Sequence, residues 1–259
     1  PPPLFARYDA KTLNSIIILE DLTDEVDFCG METDLSYAHC QSQIRLLAKL
    51  HGKYYQSTEL EGRLSIFSKW ENFFRVTAFD AGFEDSCIRG FTMAKDVIPT
   101  RLFAREAEVW PATLSAADMH ETMPRHMTHN DVHLKNWFIR PDGEMGINDW
   151  QNCARGNGSR DLAYCISTAV TPEKRRMWEK ELLAYYIDEL SSHGLPPLEF
   201  ETLHLRYRQQ LFAALAWWSG TLGQPPDAPA MQPSETSLEF IRRISIAIND
   251  LDALDSFNK

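Results

Sequence analysis

The chain of 259 residues is long enough for one large domain or two small ones, and its 44% hydrophobic and 24% charged residues are those of an ordinary globular protein. Its 37 acidic against 26 basic residues give a formal net charge of −11, which argues against nucleic acid as a partner, because a phosphate backbone demands a basic surface. No apolar run approaches the length that spans a bilayer, so no membrane partner is expected, and five cysteines without a C-x-x-C pair fit a reducing, cytoplasmic setting.

Residues 1–25 read as an extended segment, a buried strand at Ile16 to Leu19, and the start of an acidic exit carrying Asp21, Asp24 and Glu25. A helix follows from Thr33, the expected N-cap, with Leu35, Ala38, Ile44, Leu47 and Leu50 at helical intervals before Gly52 ends it. Residues 57–75 suggest a second helix with Leu60, Leu64, Phe67, Trp70 and Phe74 inward. The stretch 80–98 is mixed and shows no period that places it. Residues 100–118 read as helical, with Pro111 the point where a break is expected.

The segment His129-Asn130-Asp131-Val132-His133-Leu134-Lys135-Asn136 comes next, and it carries the most chemistry. Behind it, Trp137-Phe138-Ile139 and Met145-Gly146-Ile147 are apolar runs flanking Arg140 to Glu144. Asp142-Gly143 between them is a strong hairpin signal, because both residues tolerate positive φ. A two-residue turn there pairs 141 with 144, 139 with 146 and 136 with 149. Asn136 and Asp149 then stand opposite each other with Cβ atoms about 4.5–5.5 Å apart. An amide oxygen and a carboxylate at that separation can share a hard cation such as Mg²⁺. The spacing H-x-D-x-x-x-x-N also matches the catalytic loop of protein-kinase-like phosphotransferases, with Asp131 as base and Asn136 as metal ligand.

Beyond the hairpin, Gly156 to Ser159 read as a loop, and Asp161 sits at the positive end of the helix that follows. Thr171-Pro172-Glu173 is a helix start, N-cap followed by Pro at the first position, for a helix reaching about Leu190. A further helix covers roughly 199–221, a Pro-rich connector runs over 224–233, and the last helix begins near Ser234 with Leu238, Ile241, Ile248 and Leu251 on one face.

With those residues in view, the chain resembles the aminoglycoside phosphotransferase/choline kinase family. The likeness lies in Thr128 to Asn136, Ile147-Asn148-Asp149-Trp150-Gln151 and Arg160-Asp161-Leu162-Ala163-Tyr164. Asp-Trp-Gln, with Leu47 to Gly52 upstream, is most similar to its ecdysteroid-kinase-like branch. The resemblance implies an α+β, protein-kinase-like fold: residues 1–25 as a remnant of the small lobe with the hinge, and 26–259 as a mostly helical large lobe with the catalytic hairpin. It implies an ATP- and Mg²⁺-dependent transfer of the γ-phosphate to a hydroxyl of a small molecule, whether aminoglycoside, choline-like amine or steroid alcohol. Asp131 would be the base, Asn136 and Asp149 the metal ligands, and Asp161 a brace for the catalytic loop. Ile16 to Leu22 looks like the hinge strand, the backbone of Glu20, Asp21 and Leu22 receiving adenine and Phe138 forming the floor beneath it. A Gly-rich phosphate loop and its partner Lys are missing from the sequence, which opens Pro1-Pro2-Pro3, so the smaller lobe is expected to be largely absent from the chain.

Other readings compete at single positions. A non-catalytic kinase-like module that binds a ligand or partner is the alternative function. His126, His129, Asp131 and His133 could instead form a zinc cluster of a hydrolase. His129 is expected to support the loop backbone; His133 either meets a phosphate or packs. Lys135 is expected to reach solvent. Of Trp217 and Trp218, adjacent on a helix, one at most is expected to line a pocket, where it could meet a cation. Asp250, Asp252 and Asp255 could face a cationic substrate, though a solvated helix face is the commoner role.

Overall fold

The computed structural model describes residues 1–9, 11–12, 14–80, 82–229 and 231–257. Strands β1 (Pro3–Asp9) and β2 (Asn14–Leu19) form an antiparallel ribbon. The expected strand at Ile16 to Leu19 exists, but it is not buried: Ile16, Ile17, Ile18 and Leu19 are 45–64% exposed, as are Leu4, Phe5 and Tyr8 across the ribbon at 48–63%. Apolar composition anticipated a covering layer, and no described element packs on either face. The short strand β3 (Asp27–Phe28) then joins the ladder of the hairpin formed by residues 137–147.

Helix α1 (Tyr37–Lys53) starts three residues later than expected, because Ser36 rather than Thr33 caps it. Ser36 Oγ accepts from the His39 N–H while His39 Nδ1 accepts from Ser36, a reciprocal capping box; Thr33 Oγ1 instead accepts from the Gly30 N–H. Residues 57–75 are not one helix. They make two 3₁₀ turns, Thr58–Leu60 and Arg63–Ile66, before α2 (Trp70–Asp80), with Gly62 separating the turns. The unplaced stretch contains α3 (Phe83–Met93). The next helix breaks at Ala104–Arg105, between α4 (Thr100–Phe103) and α5 (Glu106–Asp118), and not at Pro111, which sits inside α5.

Strand β4 (His126–Thr128) and strand β7 (Ala154–Gly156) pair antiparallel, bracketing the hairpin β5 (Trp137–Ile139) and β6 (Met145–Ile147). Helices α6 (Ser159–Ala169), α7 (Pro172–Ser192, capped by Thr171 as expected), α8 (Phe200–Leu222) and α9 (Ser234–Asp250) follow. The main core runs through α1, α6, α7, α8 and α9, and a smaller aromatic core gathers Trp70, Phe74 and Ala213. Helix α8 is the axis of the body, packing on α3, α5, α6 and α9 at once.

The hairpin register differs from expectation by one residue. The pairs are Trp137 with Ile147, Phe138 with Gly146 and Ile139 with Met145, which sets Asn136 opposite Asn148, whose N–H donates to the Asn136 carbonyl at 2.8 Å. The cause is Pro141. It sits at the second position of a type I turn over Arg140–Gly143, closed by the Gly143 N–H on the Arg140 carbonyl at 2.9 Å. Gly143 at φ +80° completes a three-residue loop in place of the two-residue Asp-Gly turn.

Close packing of α3 on α8 requires Gly90. A Cβ there would lie 1.9 Å from the Ser219 carbonyl oxygen. Gly90→Ala is expected to force the helices apart and destabilise the protein by about 1–3 kcal/mol, read as a lower urea midpoint at unchanged m-value. An unchanged midpoint would mean that the two helices do not approach this closely.

Candidate active site

The loop from Thr128 to Asn136 is set by the first turn of α6. The Asp161 carboxylate, fully buried, accepts the N–H groups of His129 and Asn130, each at 2.8 Å, and faces His51 Nε2 at 3.1 Å. Its neighbour Arg160 donates to the Asn130 carbonyl at 3.3 Å, with the guanidinium 4.9 Å from the ring centroids of both Trp70 and Tyr164. Asn130 is thereby held from both sides at φ +66°, a left-handed conformation Asn tolerates. Its side-chain amide donates to Thr128 Oγ1 at 2.9 Å and to the Asn152 carbonyl at 3.0 Å, tying β4 to the segment that leads into β7.

His129 supports the backbone, as expected. Its Nδ1 lies 3.2 Å from the Asp131 N–H and its Nε2 2.8 Å from the Asn148 carbonyl. Since the N–H can only donate and the carbonyl only accept, His129 is the neutral Nε2–H tautomer, and one imidazole joins the loop from Thr128 to Asn136 to the end of the hairpin. Burial pushes its pKa down, in keeping with a neutral ring.

Asp131, Asn136 and Asp149 line one open cleft of about 530 Å³. Asn136 Nδ2 donates to the Asp131 carbonyl at 2.8 Å, which directs its amide oxygen the other way and leaves it for a ligand. The one-residue register difference alone would turn Asp149 to the opposite face of the strand. The backbone corrects this: Asp149 adopts φ +57°, ψ +66° just beyond β6 and returns its carboxylate to the cleft. Asn136 and Asp149 are therefore brought together by a left-handed turn, not by facing each other across a ladder.

Asp131 Oδ2 accepts from Asn152 Nδ2 at 3.3 Å and Oδ1 from the Tyr164 hydroxyl at 3.5 Å. Burial raises the Asp131 pKa, His129 opposes this, and the Asp149 charge adds to the rise. A carboxylate with a raised pKa is a better proton acceptor than an ordinary aspartate. His133 Nε2 stands 3.5 Å from Asp131 Oδ1, and its ring packs among Trp218, Phe240 and Tyr164. Burial depresses the His133 pKa to about 3, so it brings no positive charge to the cleft.

The remaining candidates divide. Lys135 does not end in solvent: its ammonium donates to Gln232 Oε1 at 2.9 Å in the connector before α9. Trp217 and Trp218 both line the cleft, contrary to expectation, because its mouth wraps the edge of α8; Phe73 and Tyr164 complete the aromatic wall. Asp250, Asp252 and Asp255 do not line this cleft and are paired with Arg175 and Arg176, with Arg101, and with Arg105. The zinc cluster does not form. His126 packs on His51 and Tyr55, and among the described residues no three histidine, cysteine, aspartate or glutamate side chains are placed to share a metal ion. At the proposed hinge the Glu20 N–H donates to the Pro2 carbonyl at 3.1 Å, and the Leu22 carbonyl accepts from Glu25 and Val26. Phe138 is buried, with its ring against Gly146 and 5.8 Å from Phe28. Asn152 and Gln232 carried no signal in the sequence; each works through a contact more than twenty residues away in the chain.

Four buried histidines make the molecule acid-sensitive. His120 is lowered to about 4, His133 to about 3, and His126 and His129 are lowered as well, all chiefly by burial. In the unfolded chain each titrates near ~6.5. Their contribution is therefore complete above that pH and is lost as pH falls below it, where the unfolded state binds protons that the folded state refuses. Between pH 7.5 and 5.5 the expected loss is about 1 kcal/mol each for His120 and His133, with His126 and His129 acting in the same direction, read as a falling urea midpoint. A midpoint flat across that window would show that these imidazoles are charged in the folded protein.

Residues 2–195 match the model of the ecdysteroid kinase-like family. No protein with a curated description matches the chain. Among solved structures, choline kinase LicA from Streptococcus pneumoniae superposes with a TM-score of 0.54 at 14% identity, covering 94% of this chain and 74% of that one. LicA in complex with AMP gives 0.51 at 13% identity, over 96% and 73% of the two chains. At such identities the likeness is one of fold, and the fold is α+β and protein-kinase-like. The chain belongs to the ecdysteroid kinase-like family.

Proposed function

We propose that the protein is an ATP-dependent phosphotransferase that moves the γ-phosphate to a hydroxyl of a small molecule. The observation that carries this reading is the convergence of Asp131, Asn136 and Asp149 on one cleft, through left-handed turns at Asn130 and Asp149 and the Asn136 side-chain hydrogen bond to the Asp131 carbonyl. Asn136 Oδ1 and the Asp149 carboxylate would hold Mg²⁺; two oxygen donors suit an ion that keeps water and phosphate in its other positions. When bound, that ion neutralises the charge of the polyphosphate. Asp131 accepts the proton of the attacking hydroxyl, aimed by Asn152 and Tyr164. His133, neutral and packed in the aromatic wall, buttresses Asp131 from the acceptor side rather than meeting a phosphate. In this reading residues 1–25 supply the hinge. The Glu20 carbonyl and the Leu22 N–H, which have no partner among the described residues, would read the adenine edge, with Asp21 between them and Phe138 as floor.

The wall also narrows the acceptor. Phe73, Tyr164, Trp217 and Trp218 offer π surface, while the acids of the C-terminal region are spent on arginines. That favours an alcohol with an apolar or singly cationic body over a polyamine, which needs several free carboxylates.

Asp131→Asn is expected to lower ATP-dependent phosphorylation by at least ~10²-fold while keeping the Mg·ATP thermal shift, whereas Asp149→Asn loses that shift. Turnover near wild type in Asp131→Asn would refute the base. Absence of any Mg·ATP shift in the unsubstituted protein would favour a non-catalytic binding module. With an acceptor in hand, Trp217→Ala is expected to raise KM about tenfold with kcat little changed. A fall in kcat alone would remove Trp217 from acceptor binding.

A further inference from the structure

A second cavity lies behind the wall of the cleft. It holds about 400 Å³ between α3, α5 and α8, and Cys87, Phe91, Val109, Trp110 and Leu215 make it largely apolar. That volume is the size of a small-molecule site. The hydroxyls of Thr92 and Thr113 in its lining bond back to their own helices, to the Ile88 carbonyl at 3.0 Å and the Val109 carbonyl at 2.9 Å, and its charged groups are acidic. Two features distinguish it from a packing fault. First, Glu84 and Glu106 line the cavity and enter no ion pair among the described residues, although nineteen such pairs exist elsewhere. Second, Pro111 and Ala107 both line it, and Pro111 has no N–H to close the helical turn on the Ala107 carbonyl.

We infer that this cavity binds a small amphipathic amine, its apolar body among Phe91, Val109 and Trp110 and its protonated nitrogen toward Glu84 and Glu106. Charge complementarity selects the occupant: the rim is acidic, the lining apolar, and no basic side chain lines the cavity to receive an anion. The site is separate from the catalytic cleft but shares α8 with it. Leu215, Ala216 and Ser219 line the cavity, while Trp217, Trp218 and Thr221 line the cleft from the other side of the same two turns. The inference does not depend on the phosphotransfer reading.

The test uses 4-phenylbutylamine and its neutral counterpart 4-phenylbutanol as probes on the full chain, by saturation-transfer NMR and calorimetry at pH 7. The amine is expected to bind saturably and at least tenfold more tightly than the alcohol. Ala107→Leu, a change at an exposed position that fills the mouth, is expected to abolish binding while leaving the Mg·ATP thermal shift unchanged. The double variant Glu84→Gln with Glu106→Gln is expected to erase the preference for the amine. Equal binding of the two probes, or no saturable binding, overturns the inference. Amine binding that survives Ala107→Leu also overturns it, by placing the probe in the aromatic cleft; circular dichroism of each variant verifies that it is folded.

Discussion

The candidate site depends on one buried carboxylate. Asp161 holds two consecutive backbone N–H groups and an imidazole in a place that water does not reach. A buried charge is tolerable only when its acceptors are filled, and these three donors fill them; together they hold its pKa down despite the cost of burial. The second imidazole nitrogen of His51 meets the Tyr186 hydroxyl at 2.8 Å, so the chain of contacts runs from α7 through α1 to α6 and into the loop. Remove the carboxylate and the N–H groups of His129 and Asn130 are left unpaired, with only Arg160 and the Asn130 side-chain amide remaining to hold Asn130 left-handed.

Everything chemical is positioned from that clamp outward. The Asn130 peptide sets where Asp131 departs, His129 measures the gap from Asp131 to Asn148, and Asn136 closes the loop by donating back to the Asp131 carbonyl. The hairpin is therefore tied to the loop at both of its open ends, and Asp149 turns in from there. Asp131 itself is in a different condition from Asp161. It is half-buried without strong donors, its contacts with Asn152, Tyr164 and His133 being 3.3, 3.5 and 3.5 Å long, and a second acid stands in the same cleft. One carboxylate is stabilised as a fixed structural charge, while the other has its pKa raised, the condition that the proposed base requires. Their environments separate the two roles.

Local signals in the sequence were read well where the physics is local. The Thr171 cap with Pro172, the loop before α6 and the paired runs of the hairpin depend on neighbours a few residues apart. Asp-Gly alone predicts a two-residue turn and its register, whereas Pro141, one residue earlier, selects a different turn. The cleft acquired Asp149 anyway, through a positive φ that composition does not announce. Long-range pairings were not legible at all. Nothing near Lys135 points to Gln232, and nothing near Asp250 points to Arg175 and Arg176, 74 and 75 residues away. Exposure was misjudged for a related reason: Ile16 to Leu19 has the composition of an inner strand, and burial is a property of what packs on a strand, not of the strand alone.

Helix α8 shows how one element can serve both a core and a site. Phe212, Ala213 and Ala214 are completely buried and fix the helix in the body. One to two turns later the same helix has cleft on one side and cavity on the other. This end meets α3 where Ser219 and Gly223 touch Gly90 with no side chain between the backbones. Side chains lock the same seam: Cys87 Sγ donates to the Ala216 carbonyl at 3.2 Å, Arg89 Nε donates to the Gly223 carbonyl at 2.6 Å, and the Phe83 ring lies against Gly220 and 5.1 Å from Trp217. Backbones already in contact resist compression, and the interlocked side chains resist sliding. The aromatic wall is thus anchored to α3, while the acid and amide beneath it are anchored through Asp161 on another side of α8.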